Sequence, residues 1–197
     1  MRLNIAHPES LDVLLSRRSV KASRLQEPSP DEAQLKSILD AGMRVPDHGK
    51  LNPWRFLVVE GRNRERLSEK LVEIYLSETI EGERAKLESM KTFGHQAPLL
   101  VIATFNPTLG GPKNIPAWEQ WLSVGAACQN ILVATHALGY AANWLTGWAA
   151  QSEGVRKYLG LGDDERVAGF IFIGSAENEP SERPRPEHDS IVKRLQL

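Results

Sequence analysis

At 197 residues, with 41% hydrophobic and 25% charged, the chain is long enough to bury the core of one globular domain and too apolar for an extended disordered one. A formal charge of -1 and a pI of about 6.5 exclude the global basic field that gathers nucleic acid or an anionic membrane surface. A single cysteine, Cys128, excludes an internal disulfide and a paired-thiol metal or redox motif, and no uninterrupted apolar run approaches membrane-spanning length. Met1 to Pro8 has no apolar signal core. The expected setting is therefore the reducing cytoplasm, with small molecules or a second copy of the chain as partners.

Leu11, Leu14 and Leu15 recur at helical spacing, so one face of residues 10 to 17 is expected to dock on a core and hold Arg17-Arg18-Ser19-Val20-Lys21 at the helix end. Ser29-Pro30-Asp31-Glu32 combines an N-cap candidate, an early proline and Ser-x-x-Glu capping-box spacing. The helix that starts there buries Leu35, Ile38, Leu39 and Met43 until Gly42 and Pro46 stop it, which leaves Arg44 to Lys50 as loop. Arg55 to Glu60 is a β-branched run ended by Gly61, and reads as a strand. Residues 63 to 93 are charged, with Leu67, Leu71, Ile74 and Tyr75 at helical spacing; they predict one or two amphipathic covering helices broken near Gly82.

Leu99 to Phe105 is continuously apolar and too short for a typical helix, so it is expected as a central strand. Asn106 to Lys113 is rich in breakers and suits a lid or entrance. Ala117 to Leu138 reads as one long helix, apolar nearly all round and expected to be buried, partly by another subunit. Gly139 caps it, and Tyr140 to Trp144 forms a brief strand into the turn Leu145-Thr146-Gly147. A short helix over 152 to 159 and a strand over Arg166 to Gly174 follow, then an extended tail from Glu177 to Pro186. The whole is one α+β domain over residues 1 to 197, its strands separated by helical segments that favour crossovers over hairpins.

Gly160-Leu161-Gly162 stands in a helix-to-strand turn and Gly110-Gly111-Pro112-Lys113 lacks P-loop spacing, so neither is a phosphate loop. With no HExxH, no Cys-His cluster and no Gly-x-Ser-x-Gly elbow, hydrolytic and zinc chemistries have no support. What remains is a set of cations, tryptophans and turn backbones. Arginine forks match a phosphate or the polar edge of a planar heterocycle, and Ser19 and Lys21 add shorter and point-like donors. Taken alone, the cluster reads first as a solvated basic patch at a helix end.

Arg17-Arg18-Ser19-Val20-Lys21, Gly42-Met43-Arg44-Val45-Pro46-Asp47-His48 and Asn52-Pro53-Trp54-Arg55-Phe56, in this order, resemble the FMN-dependent nitroreductase family, in particular its small single-domain members. The resemblance continues through the Ala/Gly-rich helix after Trp118-Glu119, the turn Trp144-Leu145-Thr146-Gly147, Phe172-Ile173-Gly174 and the arginine-proline tail. It implies a nitroreductase-like α+β fold with a central mixed β-sheet surrounded by helices, in an intertwined homodimer holding two FMN molecules at the subunit interface. Arg17 and Ser19 match positions that contact the FMN phosphate, ribityl chain or pyrimidine edge, with Arg18 beside them and Lys21 near the ring's N1 and C2 carbonyl. Reduction makes that edge negative, so a cation there favours the reduced flavin.

The resemblance further implies that Arg44, Pro46 and His48 reach FMN from the partner subunit, although His48 alone could be an ordinary loop residue. Trp144, Leu145 and Thr146 match the turn that runs past the isoalloxazine; a core tryptophan is the other reading of Trp144. Arg183 and Arg185 match basic positions that close on the phosphate, or else belong to a solvated tail. The implied activity is NAD(P)H oxidation through FMN, with NADH or NADPH as donor and a nitroaromatic, quinone or similar small molecule as acceptor, by ping-pong hydride transfer. No protein group acts as catalytic acid or nucleophile, and no metal is implied. A flavin-binding protein without turnover, serving storage or sensing, would use the same residues.

Overall fold

The computed structural model describes residues 5–79, 84–109 and 113–196; the break expected near Gly82 and the Gly110-Gly111-Pro112 part of the excursion lie outside them. The elements follow the order α1 (Pro8–Ser16), β1 (Leu25–Gln26), α2 (Glu32–Gly42), β2 (Trp54–Val59), α3 (Asn63–Glu78), α4 (Arg84–Lys91), β3 (Leu99–Phe105), α5 (Ala117–Ala137), β4 (Ala141–Leu145), α6 (Trp148–Gln151), α7 (Glu153–Tyr158), β5 (Arg166–Ala176) and α8 (His188–Ile191). The two-residue strand β1 and the single turn α6 are too short to leave a periodic signal in sequence. Among the described residues no helix is long and apolar enough to cross a membrane.

The five strands form one sheet in which β5 pairs with β1, β3 and β4, and β3 pairs with β2. The sheet is not the mixed one that the resemblance implies, because each pairing among the described residues is antiparallel. Between β2 and β3 the helices α3 and α4 run out and back, doing the work of a hairpin: Val59, the last residue of β2, stands opposite Leu100 at the start of β3. The expected crossover does arise between β3 and β4, which α5 joins and which run the same way, but β5 lies between them and pairs antiparallel with both, so no parallel pair forms.

Every residue of β3 is buried. Its side chains alternate between two cores, as the period of two requires. Leu100 and Ile102 join Phe170 and Phe172 beneath Leu67, Leu71 and Ile74 of α3, where the Phe93 ring meets both phenylalanines edge to face at 5.0 and 5.3 Å. Leu99, Val101 and Ala103 join Ile171 and Ile173 beneath Leu35 and Ile38 of α2 and Val124, Ala127 and Ile131 of α5. Burial on both faces accounts for the continuous apolar run in β3. Cys128 belongs to the second core, where desolvation pushes its thiol up to about 12 and keeps it a protonated packing group.

Two helices depart from expectation. In α2 the N-cap is Asp31, not Ser29: its carboxylate accepts from Gln34 N at 2.8 Å while Gln34 Oε1 accepts from Asp31 N at 3.0 Å. The capping box is thus displaced two residues along the chain, and Met43 falls outside the buried stripe at 46% exposure. In α1 no residue is buried; Leu11, Leu14 and Leu15 are 56, 55 and 68% exposed. Both faces of the sheet already carry helices, so this stripe has no core to dock on within one chain.

Asp31→Ala is expected to lower the unfolding free energy by about 1 kcal/mol, while Ser29→Ala changes it by less than about 0.5 kcal/mol. Urea denaturation of both variants checks the assignment of the cap, and equal losses would contradict it.

Candidate functional site

The basic segment sits where α1 ends. Val20 N donates to Ala142 O at 3.3 Å and Val20 and Ala22 enter the first core, which fixes Arg17 to Lys21 against the start of β4. Arg18 turns back on its own helix, donating to the carbonyls of Leu15, Ser16 and Arg17 at 3.0, 2.7 and 3.1 Å. It therefore serves the helix end, as the sequence left open, and also ion-pairs with Glu182. Arg17 is differently placed, and its Nη1 donates to Ser19 Oγ at 3.4 Å. Desolvation, with Arg185 and Arg18 close by, lowers the Arg17 pKa below the usual arginine value.

The tail after β5 folds across this segment. Glu182 lies between Arg18 and Arg185, with Arg185 Nε 3.4 Å from its Oε1. Between the tail and the basic segment opens a cavity of about 740 Å³, walled by Arg18, Ser19, Lys21 and Arg24 on one side and by Glu177 to Ser181 and Arg183 on the other. Asn143 of β4 also lines it, and its buried Oδ1 has no hydrogen-bond partner. Sequence reasoning missed Arg24, Asn143 and Glu182. Nothing in the local pattern marks them, since the tail's path joins them to the site.

Arg44, Pro46 and His48 stand elsewhere. Asn130 of α5 donates to Ala41 O and Arg44 O, both at 3.1 Å, and so ties the end of α2 to α5 while the Arg44 side chain stays exposed. Beyond it the loop turns through Gly49, Lys50 and Asn52 at φ values of 81, 57 and 49°. A Cβ at Gly49 would come within 2.4 Å of Ile115 Cδ1, so glycine is required there on two counts. The loop places His48 Nδ1 2.8 Å from Glu119 Oε2. Pro46 and His48 form one side of a second cavity, about 390 Å³, with Trp118, Leu122 and Ala126 of α5 opposite. Among the described residues, none lines both cavities.

The expected lid keeps close to α5. Gln120, buried in α5, exchanges hydrogen bonds with the backbone of Thr108 at 2.9 and 3.0 Å and donates to Ile115 O at 3.0 Å.

A model of the nitroreductase family matches residues 14–175. The chain belongs to the nitroreductase family. An Escherichia coli K12 protein carried under the name of a candidate NAD(P)H nitroreductase, YdjA, is 34% identical over 173 residues, covering 88% of this chain and 91% of that one. Among solved structures, a nitroreductase-like family protein from Bacillus cereus superposes with a TM-score of 0.78 at 22% identity, over 99% of this chain and 98% of its own. An FMN and NADPH-dependent nitroreductase from Sphigopyxis sp. strain HMH gives 0.74 at 22% identity, over 94 and 98%. These two likenesses show the nitroreductase-like α+β fold, and family membership makes the chain an oxidoreductase enzyme.

In this nitroreductase family member the turn after β4 is held by its first side chain. Trp144 packs on the second core, and its indole N–H donates to Ala168 O at 3.2 Å. The ring lies so close over Gly169 that a Cβ there would be 1.9 Å from Nε1. The core-tryptophan reading thus describes where the side chain goes. Leu145 packs on the opposite core and Thr146 is exposed, so the turn from 144 to 146 is anchored from both sides of the sheet.

Gly169→Ala is expected to cost about 1 to 3 kcal/mol of stability, from overpacking against the indole. The same change in a Trp144→Phe background should cost less, because the ring nitrogen is gone. A denaturant series on the four proteins measures the coupling, and equal costs in the two backgrounds would show that the indole does not sit there.

Proposed function

We propose that the chain, as one domain over residues 1–197, is the subunit of a homodimeric FMN-dependent NAD(P)H oxidoreductase whose two sites are each shared between subunits. The observation that carries this is a large cavity walled by Arg18, Lys21, Arg24 and Arg183, next in the chain to a crowded, partly desolvated Arg17 that is not itself among the lining residues. Desolvated guanidinium groups packed beside one another call for an anion, and one glutamate, Glu182, is shared between Arg18 and Arg185. A ligand combining a phosphate with a planar polar ring fits this donor set, and the unmatched Oδ1 of Asn143 adds an acceptor beside it. The residues present fit FMN.

Arg17 and Ser19, with Arg183 and Arg185 of the tail, would hold the phosphate end. Lys21 brings a positive charge to the cavity, which favours a ligand that gains negative charge on reduction. The turn at Trp144, Leu145 and Thr146 offers rigid backbone along the ring. Arg44, Pro46 and His48 would complete the site from the partner subunit. In support, they stand apart from the basic segment within one chain, while the apolar faces beside them lack cover: Trp118 and Leu122 of α5 are 64 and 65% exposed. A second copy laid over these faces and over α1 buries them.

When bound, FMN supplies hydride transfer between NADH or NADPH and an acceptor such as a nitroaromatic or quinone, donor and acceptor taking turns in a ping-pong scheme. The protein's own residues would hold the cofactor and set its charge balance. Such an enzyme suits the cytoplasm, where NAD(P)H is supplied and a buried thiol like Cys128 stays reduced.

The pure protein should show a flavin absorbance spectrum, with FMN bleached by NADH or NADPH and restored by an added nitroaromatic or quinone. Arg17→Ala should raise the FMN dissociation constant roughly ten- to a hundredfold, the loss of one charge-assisted contact to a bound anion. Lys36→Ala should leave it unchanged, since Lys36 pairs with Asp40 on the outer face of α2. Equal dissociation constants for the two variants in a fluorescence titration would contradict the placement.

A further inference from the structure

Glu119 lies in the first turn of α5 and His48 in the loop after α2, 71 residues away in sequence. Nothing in the local pattern of either residue announces the other, yet the fold spends considerable backbone constraint on bringing them together. The loop passes through left-handed conformations at Lys50 and Asn52, both of which carry a Cβ, and Asp47 Oδ2 accepts from Asn52 N at 2.8 Å to hold the turn. Gly49 packs close to Ile115, just before α5 begins, and Asn130 secures the end of α2 about three turns beyond Glu119 on that helix. One flank of His48 is thus tied to α5 and the other held against the residues that lead into it, and the histidine itself meets the helix through Glu119.

The contact fixes the chemistry of the ring. An ionised carboxylate is acceptor only, so at 2.8 Å the Nδ1 of His48 must carry a proton that it donates to Glu119 Oε2. Glu119 stands in the first turn of α5, next to the positive end of the helix dipole. With Nδ1 committed, Nε2 is the nitrogen left for a ligand, and the imidazole plane is set by the carboxylate. The ring remains 65% exposed while Glu119 is 29% exposed, so the pair is anchored at its acid and open at its base. It stands at the wall of the 390 Å³ cavity formed with Pro46, Trp118 and Leu122.

We propose that Glu119 is a positioning residue: it holds His48 in the Nδ1-protonated form with Nε2 directed at the flavin bound by the second copy of the chain. The inference rests on the shared-site reading and adds to it a residue that touches neither flavin nor substrate. The logic is that of a carboxylate orienting a histidine for work at its other nitrogen.

The test is a four-protein cycle with FMN affinity as readout: wild type, Glu119→Gln, His48→Ala and the double variant, each confirmed as a dimer by sedimentation. Glutamine keeps the size of the side chain but can either donate or accept, so the tautomer is no longer fixed. Glu119→Gln should weaken FMN binding roughly three- to tenfold, and should add nothing in the His48→Ala background. Nitrogen-15 spectra of the histidine ring supply a signature that a merely structural glutamate would not move: the His48 proton sits on Nδ1 in the wild type and is lost from it, or shared with Nε2, in Glu119→Gln. An equal weakening in both backgrounds, or an unchanged ring spectrum, overturns the inference while the shared site stands. If His48→Ala binds FMN as tightly as the wild type, the shared-site reading falls and takes the inference with it.

Discussion

The burial of β3 and β5 on both faces governs the rest of the molecule. Leu100, Ile102, Phe170 and Phe172 face α3 while Val101, Ala103, Ile171 and Ile173 face α2 and α5, so one chain spends its helices on closing two cores. The hydrophobic return is large, since each of these side chains except Ala103 contributes about 1.5 to 3 kcal/mol when taken out of water. What is left over cannot be hidden inside the chain. Leu11, Leu14 and Leu15 of α1, with Trp118 and Leu122 of α5, remain in the open for want of a third core.

The same constraint decides where ligand chemistry can be built. The sheet interior is filled, so polar groups gather at its margins: the basic segment against the start of β4, the tail where β5 runs out, and the His48 loop on α5. Two groups of polar residues result. One has cations, a large cavity and an unmatched buried acceptor, and the other has a histidine hydrogen-bonded to a carboxylate beside apolar wall. In the proposed homodimer they are the two halves of one site, and a dimer formed through the uncovered helix faces would bring each half toward its complement, connecting the leftover hydrophobic surface to function.

Much of this was legible in the residues. The strands at Leu99 to Phe105 and Arg166 to Gly174, the long helix from Ala117 and the glycine-bounded turns announce themselves by composition and period, because local pattern and tertiary burial agree there. The family is legible in ordered short motifs, each placed at an element boundary. Illegible were features that depend on how distant segments meet. Asp31 displaces Ser29 as cap by geometry that both spacings allow; the antiparallel pairing of β2 with β3 follows from the return path of α3 and α4; Glu182 and Glu119 matter through Arg18 and His48, 164 and 71 residues away, and Asn143 through an Oδ1 with no partner among the described residues. The α1 stripe is the opposite case: its pattern is that of a docking face, yet within this chain it stays exposed because both faces of the sheet are already covered.

Subunit exchange tests the shared site most directly. Arg17→Ala and His48→Ala homodimers, each binding FMN poorly, are mixed and allowed to trade subunits, with heterodimer formation followed by a mass tag on one partner. If Arg17 of one chain and His48 of the other serve the same flavin, each heterodimer has one doubly damaged site and one intact site, and tight FMN binding returns to at most one site per heterodimer. If heterodimers form and no tight binding returns, both residues serve the flavin of their own chain, and the account of two half-sites completed by dimerisation is wrong.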